Sequence, residues 1–187
     1  SPERSGTRSV SNAATTAGCY PRTPMCGIVG YIGPDPALPV VLEGLRRLEY
    51  RGYDSAGIAM IDGGLSVVKR AGKLSELDAA LGVMGDVPGS VGMGHTRWAT
   101  HGAPTDRNAH PHLDCQGRIA VIHNGIIENF TDLRSGLEKR GHVVDSDTDT
   151  EVVAHLIEEK EGALADRVRA TVNELDGAYA LVVLAHA

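Results

Sequence analysis

Cys26 is the first residue whose surroundings suggest covalent chemistry. It follows Met25 and precedes Gly27, so removal of an initiator methionine at position 25 would leave the cysteine at the N-terminus. An N-terminal cysteine carries a thiol of pKa about 8.5 beside an α-amine of pKa about 7.7–8.0. The amine can then activate the thiol as a nucleophile, which predicts acyl transfer from an amide. The alternative is an ordinary buried cysteine in a strand.

The Asn124-Gly125 pair could supply the hydrogen-bond donors that a tetrahedral oxyanion requires. It follows a predicted strand over 118–123 and offers a side-chain NH₂ group and an unhindered backbone N–H. Asn-Gly is also a strong signal for a type I′ hairpin turn. Residues 126–129 lead toward a helix with no returning strand, which favours the oxyanion interpretation.

Two charged side chains are candidates for binding the charged groups of a substrate. Arg97 ends a predicted strand, and its planar guanidinium could bind a carboxylate by donating two parallel hydrogen bonds. The alternative is a surface ion pair. Residues 148–151 have the spacing of a capping box, which predicts that Asp149 lies in the first turn of a helix. A carboxylate is favoured there by the helix dipole, and it could bind an ammonium group.

A group of histidines raises the alternative of a metal site. Five of the eight fall within a short segment: His95, His101, His110, His112 and His123. A zinc site would use His110, His112, Asp114 and Cys115, whose ligand types all suit that metal. No HExxH motif or paired CxxC motif supports it, and histidines at strand ends are commonly structural. The glycine spacings match neither a dinucleotide-binding fingerprint nor a phosphate-binding loop.

The apolar pattern predicts strands that alternate with helices. The predicted strands cover 27–32, 56–61, 65–69, 91–97, 118–123 and 178–185. A hairpin turn is expected at Asp62-Gly63-Gly64. Five helices are predicted. The first has Pro39 in its first turn, the second follows Ser75, and the third runs from about Thr131 to Gly141. The fourth begins at Thr148, and the fifth covers 164–175.

The composition indicates one globular domain. The chain has 187 residues, of which 42% are hydrophobic and 22% charged, and a formal net charge of −6. No basic stripe indicates nucleic-acid binding, and no apolar run approaches the roughly 20 residues of a membrane span. Three widely spaced cysteines favour a reducing compartment, so the sequence predicts a cytoplasmic protein. Residues 1–24 are poor in apolar residues and are expected to be a disordered extension, a propeptide or a mis-assigned start.

Six blocks of sequence resemble, in order, the glutaminase domain of glutamine:fructose-6-phosphate aminotransferase. This domain is a class II glutamine amidotransferase of the N-terminal-nucleophile hydrolase group. The blocks are MCGIVGYIG (25–33), LEYRGYDSAG (48–57), GHTRWATHG (94–102), NAHPH (108–112), HNGIIEN (123–129) and SDTDTEVVAH (146–155). The resemblance covers residues 25–187, and the second block favours the sugar-phosphate aminotransferase over relatives in purine or asparagine synthesis.

The resemblance implies catalytic roles for four residues. Cys26 would attack the side-chain amide of glutamine while its own α-amine relays the proton. Asn124 and the Gly125 amide would form the oxyanion hole. Arg51 is similar to the family's arginine near the nucleophile.

The resemblance also implies how glutamine is bound. Arg97 would hold the α-carboxylate, with help from backbone groups around Trp98, Thr100 and His101. Asp149 would bind the α-ammonium group. No cofactor and no metal is implied.

The fold implied by the resemblance is an α+β four-layer α/β/β/α sandwich. Residues 25–187 would be a glutaminase domain that is incomplete at its C-terminus, with the sugar isomerase domain absent. Ammonia would pass to fructose 6-phosphate in that missing domain, and the full-length proteins would be homo-oligomers. The alternatives are a non-catalytic truncated fragment and the glutaminase domain of another class II enzyme, such as amidophosphoribosyltransferase.

Overall fold

The first half of the chain builds a four-stranded antiparallel sheet. A computed structural model describes residues 26–85 and 87–186; the predicted extension over residues 1–24 lies outside them. The strands are β1 (Gly27–Ile32), β2 (Ser55–Ile61), β3 (Leu65–Ala71) and β4 (Val91–Arg97), in the order β1-β4-β2-β3. The predicted hairpin is confirmed, since Ile61 pairs with Leu65 and Gly63 takes a φ of 60°, which glycine adopts at little cost.

The second half contributes a three-stranded antiparallel sheet in the order β5-β6-β7. Its strands are β5 (His112–Leu113), β6 (Ile119–Ile127) and β7 (Gly177–Ala185). The predicted end of the strand at His123 was wrong. Asn124 and Gly125 instead lie within β6, opposite Ala180 and Tyr179 of β7. The type I′ turn does not form, because β7 continues the ladder past the Asn-Gly pair.

In residues 26–85 and 87–186, five α-helices accompany the sheets. They are α1 (Ala37–Leu48), α2 (Leu74–Met84), α3 (Phe130–Lys139), α4 (Glu151–Glu159) and α5 (Leu164–Val172). A short 3₁₀ turn, Glu49–Arg51, follows α1. Gly141 ends α3 as predicted: its N–H donates to Glu138 O at 3.1 Å, and His142 N–H donates to Leu137 O at 3.1 Å, which is a Schellman motif.

The predicted capping box at residues 148–151 was wrong. Helix α4 begins only at Glu151, and Thr150 makes no side-chain cap. The Glu151 carboxylate accepts the backbone N–H groups of Asp145 at 2.9 Å and Ser146 at 2.5 Å. It therefore closes the preceding loop instead of capping its own helix, and Asp149 lies before the helix.

Three apolar clusters form the core of the part of the chain that the structure describes. Helices α1 and α2 pack on one sheet through residues such as Leu45, Leu77 and Ile58. Met93 and Ile122 belong to a smaller cluster to which strands of both sheets contribute. A third cluster joins β6 and β7 to the helices α3, α4 and α5. Within the described residues, no helix is both long and apolar enough to span a bilayer.

Candidate active site

The pairing of β1 with β4 determines where Cys26 lies. Cys26 directly precedes β1, whose Gly27 pairs with Thr96 near the end of β4. The Cys26 thiol sulfur accepts the backbone N–H of Trp98 at 3.1 Å. A side chain at position 27 would place its Cβ 2.6 Å from Thr96 Oγ1, so glycine there allows the two strands to approach closely and bring the thiol to the end of β4.

The Cys26 thiol is held mainly in its protonated form. Burial raises the pKa of this thiol above the ordinary cysteine value, although the Trp98 N–H and the Arg97 charge act in the opposite direction. Because the thiolate is the nucleophilic form, this thiol requires a nearby base to react at neutral pH.

Asn124 faces Cys26 with its amide orientation fixed. Its NH₂ group donates to the backbone carbonyl of Cys26 at 3.3 Å, and its Oδ1 lies 2.9 Å from His95 Nε2. Burial lowers the pKa of His95 to about 4, so the ring is neutral at physiological pH. With Nε2 carrying the proton, His95 donates to Oδ1 and directs the NH₂ group toward the cysteine.

A cavity of about 380 Å³ surrounds this pair. Its volume falls in the range of about 300–1,000 Å³ that is usual for small-molecule sites. All of the site residues predicted from the sequence except His101 line it. The lining residues are Cys26, Arg51, Arg97, Trp98, Thr100, His110, His123, Asn124, Gly125, Ile126 and Asp149.

Arg97 offers the cavity a free guanidinium donor. The side chain is only 3% exposed, and its Nη2 donates to the carbonyls of His101 and, at 3.4 Å, of Gly102. Its buried Nη1 has no partner among the described residues. His101 thus contributes its backbone to the position of Arg97, while its ring packs on Phe130 with centroids 5.2 Å apart.

The sequence predicted that a helix dipole would favour the Asp149 carboxylate. In the structure the carboxylate is instead held by the sheet. Its Oδ2 accepts the backbone N–H of Ile127 in β6 at 2.9 Å, and its Oδ1 lies 3.9 Å from His123 Nδ1. The carboxylate and Arg97 line the same cavity. The cavity therefore offers an anionic group and, in Arg97 and Arg51, two cationic groups beside the thiol, which suits an amino acid with charged α-groups.

Asp54 and Arg51 come from the segment after α1. The Asp54 carboxylate accepts the N–H of Ala99 at 2.6 Å, and its own N–H donates to Arg97 O at 2.8 Å. Asp54 therefore holds the chain around Trp98, whose N–H contacts the thiol. No role was predicted for Asp54, although it lies in the block LEYRGYDSAG (48–57). Arg51 lines the cavity, and its Nε donates to Tyr50 Oη at 3.3 Å.

The zinc set considered from the sequence does not converge. His110 Nε2 contacts Thr150 Oγ1 at 2.7 Å, and His112 Nε2 contacts Thr148 Oγ1 at 3.0 Å. Asp114 accepts the backbone N–H groups of two residues of its own turn, Arg118 and Ile119. Burial lowers the pKa of His110 and His112 well below the ordinary histidine value, so these rings are neutral structural groups.

Comparisons with known proteins point to one family. The profile of the glutamine amidotransferase domain matches residues 95–187. The glutamine–fructose-6-phosphate aminotransferase of Streptomyces coelicolor is 60% identical over 164 residues, which are 86% of this chain and 27% of that protein. The Mycobacterium tuberculosis enzyme of that name is 56% identical over 167 residues, or 84% of this chain and 27% of that protein. The chain thus spans about a quarter of the length of these relatives.

Solved structures agree with this relationship. The glutamine phosphoribosylpyrophosphate amidotransferase from B. subtilis, complexed with ADP and GMP, has a TM-score of 0.73 at 32% identity, covering 84% of this chain and 35% of that chain. A structure of the allosteric regulatory enzyme of purine biosynthesis has a TM-score of 0.74 at 33% identity, with the same coverage. The chain therefore belongs to the class II glutamine amidotransferases, with a mixed α/β N-terminal-nucleophile fold, and its sequence is similar to part of the glutamine–fructose-6-phosphate aminotransferases.

Proposed function

We propose that this chain hydrolyses L-glutamine to glutamate and ammonia, with Cys26 as the nucleophile. The observation that carries the proposal is one cavity that holds a half-buried thiol, an amide donor of fixed orientation, and side chains of opposite charge. These are the groups that hydrolysis of an amino acid's side-chain amide requires.

The α-amine of Cys26 takes the thiol proton as the sulfur attacks the amide carbon of glutamine. The oxyanion that forms accepts hydrogen bonds from the Asn124 NH₂ group and the Gly125 N–H. The protonated amine then gives its proton to the departing nitrogen, the C–N bond breaks, and ammonia leaves a γ-glutamyl thioester. Water, deprotonated by the same amine, attacks the thioester and releases glutamate with the thiol restored.

Substrate orientation is assigned to the charged residues. The free Nη1 of Arg97 accounts for binding of the α-carboxylate, together with backbone groups of Trp98, Thr100 and His101. Asp149 binds the α-ammonium group. Arg51 adds a cation beside the nucleophile.

The ammonia serves the conversion of fructose 6-phosphate to glucosamine 6-phosphate in a larger protein. Identities of 56–60% to fructose-6-phosphate aminotransferases, against 32–33% to the purine amidotransferase structures, support this acceptor over a phosphoribosyl one. We assign the acceptor site to a sugar isomerase domain outside residues 25–187, in a homo-oligomeric cytoplasmic enzyme. Free Cys26 and Cys115 thiols suit that compartment.

A four-layer α/β/β/α arrangement of residues 25–187 is part of the proposal. The three clusters support it, since α1 and α2 pack on one sheet, α3–α5 on the other, and strands of both sheets share the third cluster. Such an arrangement places the ends of β4 and of β6, with their site residues, at one end of two packed sheets.

Covalent trapping tests the proposed reaction. A chain that begins at Cys26 is expected to release glutamate and ammonium in equal amounts from glutamine. A glutamine analogue with an electrophilic diazoketone in place of the amide should add once per chain, on the peptide that contains Cys26, as located by mass spectrometry. Release of ammonium without glutamate, or labelling at another residue, would contradict the assignment.

The Asp149→Asn variant tests the substrate orientation. We expect KM for glutamine to rise about 10–100-fold with a smaller change in kcat, because one hydrogen bond between charged groups, worth about 1.5–3 kcal/mol, is lost. The asparagine oxygen can still accept the Ile127 N–H that Asp149 accepts at 2.9 Å, so β6 should be preserved.

A glutamine lacking its α-amine provides the matched control for that variant. This substrate has no ammonium group to bind, so wild type and Asp149→Asn should hydrolyse it with equal kcat/KM. An equal loss with both substrates would mean that Asp149 acts on the fold and not on the ammonium group.

A further inference from the structure

Four side chains outside the cavity around Cys26 converge as metal ligands do. One ligand atom each from Cys115, His142, His155 and Glu158 lies within 4.8 Å of all the others. None of these residues lines the cavity around Cys26. We propose that this cluster, which we call the Cys115 cluster, binds a Zn²⁺ ion with a structural role.

Five of the six distances between ligand atoms in the Cys115 cluster fit a tetrahedron, and all six are within 4.8 Å. Cys115 Sγ lies 3.3 Å from Nδ1 of His142 and 3.3 Å from Nδ1 of His155, and the two Nδ1 atoms are 3.3 Å apart. Glu158 Oε2 lies 3.4 Å from His142 Nδ1 and 3.6 Å from His155 Nδ1. With Zn–N of about 2.0–2.1 Å and Zn–S of about 2.3 Å, tetrahedral ligand atoms should be roughly 3.3–3.6 Å apart.

The outer nitrogens of both histidines face carboxylates. His142 Nε2 lies 3.1 Å from Glu159 Oε1, and His155 Nε2 lies 3.6 Å from Glu151 Oε1. A proton on each Nε2 leaves the Nδ1 lone pairs directed at the common centre. Histidine ligands of zinc commonly donate their other N–H to a carboxylate. His142 Nε2 lies within hydrogen-bond distance of Glu159, whereas the buried His155 Nε2 has no hydrogen-bond partner among the described residues and makes only the longer contact with Glu151.

The four ligands come from three separate segments. Cys115 lies in the loop between β5 and β6, His142 follows the end of α3, and His155 and Glu158 lie on α4. Four protein ligands leave no open position for substrate, which is typical of structural zinc sites. The ion would therefore tie the loop and both helices together, and this role does not depend on the glutaminase activity.

Cobalt substitution is the sharpest test, because Co²⁺ reports both geometry and thiolate ligation. The chain contains three cysteines, at positions 19, 26 and 115. We would use the Cys19→Ser/Cys26→Ser double variant, freed of metal with a chelator, so that Cys115 is its single thiol. We expect one equivalent of Co²⁺ to give the intense visible bands of tetrahedral cobalt and a thiolate-to-cobalt charge-transfer band.

Zn²⁺ should displace the cobalt and raise the melting temperature of this double variant, whereas Mg²⁺ should do neither because thiolate and imidazole ligands do not suit it. Weak octahedral bands, or no binding by a chain whose circular dichroism shows it folded, would overturn the proposal. This readout needs no ligand substitution, so it holds even if ligand variants fail to fold.

Substitutions then identify the ligands. Adding Cys115→Ser to the double variant should remove the charge-transfer band and the zinc-dependent rise in melting temperature. Glu159→Gln should weaken zinc binding about 10–100-fold, as loss of an outer partner typically does, while keeping the thiolate band. An unchanged zinc-dependent rise in melting temperature after Cys115→Ser would show that the metal is held elsewhere, and the proposal would fail.

Discussion

Replacing Cys26 with serine should reduce glutamine hydrolysis to background, a fall of about 10⁴-fold or more in kcat of the kind seen on loss of a catalytic nucleophile. An α-amine can deprotonate a thiol of pKa about 8.5, but a serine hydroxyl is far less acidic. The Cys26 sulfur accepts the Trp98 N–H at 3.1 Å, a bond that a serine oxygen can also accept. The variant should therefore fold and lose only the chemistry.

Glutamine binding is the control for that variant. Calorimetry should give the serine variant a Kd for glutamine close to the wild-type value, because the charges of Arg97 and Asp149 remain in the cavity. Hydrolysis within about tenfold of wild type, after exclusion of contaminating enzyme, would remove Cys26 from the mechanism. Loss of glutamine binding together with hydrolysis would indicate a damaged cavity instead, and would leave the nucleophile to be identified by covalent labelling.

Local sequence predicted most of the elements, because a hairpin signal or an apolar helix face depends on neighbouring residues. The turn at Gly63 and the end of α3 at Gly141 are examples. Local sequence could not predict which strands pair when they lie far apart in the chain. β6 continues through Asn124 because β7 lies beside it, and Asn124 pairs with Ala180, a partner that local patterns do not identify.

At the site, too, some residues could be predicted from local sequence and others could not. Residue type and the resemblance pointed to the groups that surround the cavity, but not to the residues that hold them in place. His95 contacts Asn124 across 29 positions in sequence, and Asp54 contacts Ala99 across 45. Neither partner could be identified before the strands were paired. His95 was considered only as one of a group of histidines, and no role was predicted for Asp54.

The Cys115 cluster illustrates why sequence proximity misleads. From the sequence, Cys115 was grouped with its neighbours His110, His112 and Asp114, whereas the fold brings it to His142 and His155, which lie 27 and 40 positions away. The neighbours alternate along an extended segment and are bonded to Thr148, Thr150 and the loop backbone. Convergence of ligands here is a property of the packed loop and helices.

Retention of residues 1–25 should suppress hydrolysis as strongly as loss of a general base does, about 10²–10⁴-fold. In such a chain the Cys26 nitrogen is an amide, which has no basic lone pair. Burial already raises the pKa of the Cys26 thiol, so very little thiolate forms near neutral pH without the amine. We expect kcat to fall while glutamine binding is preserved, since the binding groups are unchanged.

A one-residue extension separates the effect of the amine from the effect of bulk. Three chains should be compared, beginning at Ser1, at Cys26, and at one alanine placed before Cys26, each with its N-terminus verified by intact mass. If the amine is the base, the alanine-extended chain is as inactive as the full-length one, although it is only one residue longer than the active chain. If it retained the activity of the chain that begins at Cys26, the base would have to be another group, and the neutral histidines that line the cavity, His110 and His123, would be the next candidates.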